Sequence, residues 1–222
     1  MNKKLIIIGV IILAFCVVGR LLWVGLKNVK MADFHPASVI FIIDSSASNQ
    51  KALPGQIKFL KSLCALLDPE DQIKILKTSQ SAYLIYEGSP MDTVSVSKAL
   101  EAFTKFDDKD YGTAYGEAMK KAITHSLTMY KEGYTPSIVV IGDLENEGAI
   151  EKQINWDTLP ENIRKTQESL PDLTLMFVYA HPEKLDMVKE KLGPVLGEKH
   201  LIVATEQMAN KIITRFLSAI GR

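Results

Sequence analysis

The chain has 222 residues, 47% of them apolar, with 26 basic and 26 acidic side chains. That size suits one membrane segment plus one globular domain. The charge balance, with no basic stripe interleaved with aromatics, argues against a nucleic-acid partner. The two cysteines, Cys16 and Cys64, imply no disulfide framework.

Residues 1–4 form a short basic tail, and residues 5–26 are a 22-residue apolar stretch with one charge, Arg20. This is about the length needed to cross a bilayer core. Arg20 can extend its charge to the interface, and Trp23 suits the interfacial belt. An uncleaved transmembrane helix is therefore expected. The rival readings fit less well: Val18-Gly19-Arg20 is a poor cleavage site, and Phe15 before Cys16 is a poor lipoprotein signal. Lys3, Lys4 and the terminal amine precede the span, while Lys27 and Lys30 follow it. The balance tips slightly toward an internal N-terminus. A single-pass membrane protein with an extracytoplasmic domain is the resulting expectation, with residues 27–36 as a polar tether.

From residue 37 onward, apolar runs alternate with amphipathic segments. SVIFIID (38–44) is nearly continuous and β-branched, as in a strand buried on both faces. Residues 54–67 repeat apolar positions at helical spacing, with Pro54 tolerated at the start and Cys64 on the apolar face. QIKILKT (72–78) and SAYLIYEG (81–88) read as an edge hairpin. A helix near 94–104, an acidic loop and a helix over 115–131 follow. PSIVVIGD (136–143) is a second buried strand that also ends in aspartate. A polar loop (144–160), a helix near 161–168, a strand over 172–180 and a helix over 182–193 come next. A strand over 200–204 and a helix over 205–219 close the chain. Strands alternating with helices imply a doubly wound, mostly parallel sheet covered on both faces, with one antiparallel edge strand.

Ligands of such sheets bind at the carboxyl ends of the strands. Asp44 and Asp143 should both lie there, where two carboxylates would repel without a cation. Ser46 and Ser48 alternate with Asp44 and can converge from one turn. Thr113, between Gly112 and Gly116, precedes a helix. Each also has an ordinary reading, as a turn or helix cap.

Asp44-x-Ser46-x-Ser48, Thr113 and Asp143 together resemble the metal-ion-dependent adhesion site of a von Willebrand factor type A (vWA) domain, and the element order over about residues 36–220 is similar too. The resemblance, closest to bacterial membrane-anchored members, implies a Rossmann-like fold over 37–222 and a bound Mg²⁺, with Mn²⁺ or Ca²⁺ as alternatives. Ser46, Ser48 and Thr113 would ligate directly, and Asp44 and Asp143 would act mainly through water. A protein partner would complete the shell with an acidic side chain, flanked by a rim of Asp110, Tyr111 and Glu145. The chain departs from the family pattern at Ser45 and Leu144, where glycine is common. Asp107, Asp108, Asp110, Glu145 and Glu147 would add negative charge, or simply form a solvated acidic loop.

The four histidines show no zinc spacing. No GxSxG elbow, Walker A loop or GxGxxG is present. A non-enzymatic binding module is therefore expected. A metal-dependent hydrolase and a scaffold that no longer binds metal are the alternatives. Tyr83, Tyr86, Tyr111 and Tyr115 read either as an interaction surface or as ordinary packing.

Overall fold

The computed structural model describes residues 35–103, 112–145 and 147–222. The expected span at 5–26, most of its tether, and Asp107, Asp108, Asp110 and Tyr111 lie outside the described residues. Among the described residues, no helix is long and apolar enough to cross a membrane.

The first strand, β1 (Ala37–Asp44), is buried along its whole length. Its β-branched run suits a pleated surface that is covered twice. Side chains alternate between the two faces of the sheet. Val39, Phe41 and Ile43 join one core cluster, and Ile40 and Ile42 join the other. Each fully buried side chain of this kind contributes about 1.5–3 kcal/mol.

The chain continues through α1 (Leu53–Cys64), β2 (Gln72–Thr78), β3 (Ala82–Gly88) and α2 (Thr93–Leu100). Then come α3 (Tyr115–Lys131), β4 (Thr135–Ile141), α4 (Leu159–Ser169), β5 (Thr174–Val178) and α5 (Pro182–His200). Strand β6 (Leu201–Ala204) and helices α6 (Glu206–Ala209) and α7 (Ile213–Ala219) complete it. The sheet order is β3-β2-β1-β4-β5-β6. Only the β2–β3 pair is antiparallel, with a register shift at Ile75/Leu76.

Helices α1, α2 and α7 contribute to the first cluster, and α3, α4 and α5 to the second. The expected sheet, with its edge hairpin and helices on both faces, is the one observed. Cys64 is a buried core thiol whose pKa burial pushes up to about 12, so it is chemically quiet.

Two differences from the sequence reading have physical causes. Helix α5 does not stop at Gly193-Pro194; it runs on until Gly197 takes a left-handed φ of +68°. Leu192 and Leu196 lie four apart and are both buried, and that tertiary burial outweighs the proline penalty. The final helix is split, because a turn of 3₁₀ helix (Asn210–Ile212) separates α6 from α7.

Candidate metal centre

Strands β1 and β4 are parallel neighbours at the middle of the sheet, so the loops leaving them open on the same edge. Asp44 is the last residue of β1 and is fully buried. Its Oδ1 accepts the Ser46 backbone N–H at 2.8 Å, and its Oδ2 accepts the Tyr115 hydroxyl at 3.0 Å. Burial first, and then the Asp143 charge, raise its pKa to about 7, against the lowering effect of those hydrogen bonds.

The loop after β1 is held by polar contacts that the apolar pattern does not announce. The Ser45 backbone N–H donates to the Thr78 carbonyl at 2.9 Å. Asn49 Nδ2 donates to the Asp44 carbonyl at 2.8 Å and to Gln56 Oε1 at 2.9 Å. Gln56 Nε2 returns a bond to Asn49 Oδ1 at 2.8 Å. This reciprocal amide pair is buried and clamps the serine loop to α1. Ser46 Oγ and Ser48 Oγ are then 3.0 Å apart, and the Ser48 hydroxyl donates to Asp143 Oδ2 at 3.3 Å.

Asp143 stands two residues beyond β4 rather than at its last position, and its Oδ1 accepts the Glu145 N–H at 2.8 Å. The flanking residues are closely constrained. A Cβ on Gly142 would lie 2.6 Å from Asp44 Cβ and would collide with the Tyr115 hydroxyl. Leu144 has φ +61°, a conformation costing a non-glycine residue about 1–2 kcal/mol. Its burial and the N–H bond it donates to the Tyr115 hydroxyl at 3.3 Å hold it there. Leucine thus occupies a left-handed position that glycine would adopt freely.

Thr113 comes to the same edge on a third segment. Its N–H donates to the Glu147 carbonyl at 2.8 Å, and the next N–H, of Ala114, donates to the Ser79 carbonyl at 2.7 Å. Gly112, with φ +97°, permits that approach: an added Cβ would meet the backbone of Gly148 at 3.0 Å. The Thr113 side chain is 1% exposed. Among the described residues its Oγ1 is one of four buried hydroxyls without a hydrogen-bond partner, with those of Ser38, Thr78 and Ser126. Leaving such a group unpaired costs about 1–3 kcal/mol.

Asp44, Ser46, Ser48 and Asp143 are therefore linked side chain to side chain or through backbone. Thr113 joins them through the Glu147 loop, which continues from Asp143. Among the described residues, no three His, Cys, Asp or Glu side chains form a metal cage. The oxygen set is instead two carboxylates and three hydroxyls, a hard-oxygen set suited to Mg²⁺ or Mn²⁺. Of the expected rim, Glu145 pairs with Lys184 at 3.1 Å, which offsets its charge. A cleft of about 240 Å³ opens beside Thr113, Ser79, Glu147 and Lys152. The larger grooves, one of about 640 Å³ between α3 and α4, include none of the five residues in their linings.

Residues 39–146 match the profile of the von Willebrand factor type A domain. The chain carries a vWA domain. No curated protein sequence matches it. Among solved structures, the conserved hypothetical protein BatB of Bacteroides thetaiotaomicron is similar at 17% identity, covering 82% of this chain and 98% of that one, with a TM-score of 0.59. An aerotolerance-related membrane protein of Bacteroides fragilis is 16% identical over 81% of this chain and 99% of that one, with a TM-score of 0.52. Proximal thread matrix protein 1 of the mussel byssus, with a zinc-occupied MIDAS motif, is 10% identical over 83% of this chain and 48% of its own, with a TM-score of 0.55. At such identities the likeness is one of fold.

Two features of this vWA domain were missed in the sequence reading. Tyr115, read there as surface or packing, is fully buried, with its hydroxyl on Asp44. The Asn49–Gln56 pair carries no motif at all. Only the placement of amides just after the serine loop and on the buried face of α1 could have signalled it.

Proposed function

We propose that this vWA domain is a membrane-anchored, non-enzymatic module that engages a protein partner through a divalent cation, Mg²⁺ in the first instance. Ser46, Ser48 and Thr113 supply direct ligands, and Asp44 and Asp143 act mainly through water and by orienting the serines. Bound there, the cation would offer an open position to an acidic side chain of the partner. Asp110, Tyr111 and Glu145 form the contact rim.

The observation that carries the reading is the buried, unpaired Thr113 hydroxyl on the same sheet edge as two mutually repelling carboxylates. A cation answers both costs at once. The similarity in fold to a protein with a zinc-occupied MIDAS motif supports the metal. The apolar stretch 5–26 and the likeness to an aerotolerance-related membrane protein support an anchor in a bacterial cytoplasmic membrane, with the domain on its outer side.

The test is a calorimetric Mg²⁺ titration of the full chain in detergent, followed by partner capture in Mg²⁺ against chelator. Saturable binding and chelator-sensitive capture are expected. Absence of binding would leave a scaffold domain, and metal-dependent hydrolysis of a phosphate ester would make it an enzyme.

Thr113→Ala separates the metal role from a structural one. Removing an unpaired hydroxyl should leave stability unchanged or raise it by about 1 kcal/mol, while Mg²⁺ affinity falls about 10–100-fold. Denaturation midpoints and calorimetry on the same variant check this. Lost stability with intact affinity would make Thr113 structural.

A further inference from the structure

The Tyr115 phenol hydrogen-bonds both aspartate-bearing segments from a third one. It is the first residue of α3, buried in the core cluster with Ala118 and Met119. Its oxygen is fixed from two sides, donating to Asp44 Oδ2 at 3.0 Å and accepting the Leu144 N–H at 3.3 Å. Gly142 is bare at the point where any side chain would strike it. The phenol therefore has one place to be.

With Oδ1 taken by the Ser46 N–H, both oxygens of Asp44 accept a hydrogen bond inside the protein. A carboxylate tied down at both oxygens is poorly placed to close on a cation with two oxygens at once. That matters for ion choice. Ca²⁺ takes six to eight oxygens and often uses bidentate carboxylates, whereas Mg²⁺ takes six and keeps several waters. Groups behind the ligands commonly tune metal affinity about 10–100-fold.

We infer that Tyr115 is the positioning residue that sets the ion preference of this site, holding Asp44 away from two-oxygen ligation and so favouring Mg²⁺ over Ca²⁺. The inference rests on the proposed metal-binding function.

The experiment is a pair of calorimetric titrations, with Mg²⁺ and with Ca²⁺, on the full chain in detergent. It compares wild type, Tyr115→Phe, and a ring-fluorinated tyrosine placed at position 115 alone. Phenylalanine keeps the ring and removes the donor, so the Mg²⁺-over-Ca²⁺ preference should fall about tenfold. Ring fluorination makes the phenol a stronger donor at almost unchanged size, so the preference should rise. Denaturation in chelator verifies that each variant is folded, and if Tyr115→Phe does not fold, the fluorinated protein decides by itself. A merely structural role would lower both affinities together and leave their ratio unchanged. If wild type binds Mg²⁺ and the ratio does not move, this inference is overturned while the proposed function stands. If wild type binds neither ion, both fall.

Discussion

Asp44→Asn is expected to make the metal-free domain more stable at pH 8 while reducing Mg²⁺ affinity about 10–100-fold. In the fold, Asp44 has its pKa raised from 3.8 to about 7, chiefly by burial and then by Asp143. The folded pKa exceeds the unfolded one, so it is the protonated form that favours folding. That contribution is complete below about pH 4 and is lost as pH rises through about 7. At pH 8 the metal-free fold must hold an ionised carboxylate beside another, a penalty on the order of 4 kcal/mol. Asparagine keeps an acceptor for the Ser46 N–H and carries no charge. Denaturant titrations in chelator should show the variant ahead at pH 8, with its advantage shrinking toward zero near pH 4. A variant less stable than wild type at pH 8, or one that still binds Mg²⁺ normally, would contradict this account of the site.

Gly142→Ala should destabilise the domain by about 3 kcal/mol. The added methyl has no cavity to enter: on one side is the Cβ of Asp44 at 2.6 Å, and on the other the phenol oxygen that bonds Asp44 and Leu144. Relief requires β1 or the first turn of α3 to move, and both are packed within the sheet core. Thermal unfolding measures the loss. Mg²⁺ should recover little of it, because the same displacement separates the two aspartates. A variant with the wild-type midpoint would mean that the close approach is not enforced.

Strand direction was legible because buried parallel strands leave a direct imprint, whereas their order in the sheet came from the structure. VIFII in β1, IVVI in β4 and LMFV in β5 are uninterrupted apolar runs, and amphipathic helices intervene between them. The antiparallel β2–β3 edge was legible from two strand-like runs too close together for a crossover. The placement of Asp44 and Asp143 on one sheet edge followed from the same topology, and the structure added that β1 and β4 are neighbours, which brings their loops together.

Polar partners chosen across long sequence distances were not legible. Tyr115 and Asp44 are 71 residues apart, and nothing local distinguishes that tyrosine from one that only packs. The persistence of α5 past Gly193-Pro194 was hidden for a similar reason, because the local signal says stop and the burial of Leu192 and Leu196 overrules it. The sequence by itself determined most of the elements, their succession along the chain and the edge of the sheet on which the aspartates gather, because periodicity and strand polarity are properties of neighbouring residues. Only the tertiary structure decided which hydroxyl Asp44 accepts, that Thr113 is left without a partner and that Leu144 is held left-handed. Those outcomes depend on side chains that compete for space in three dimensions.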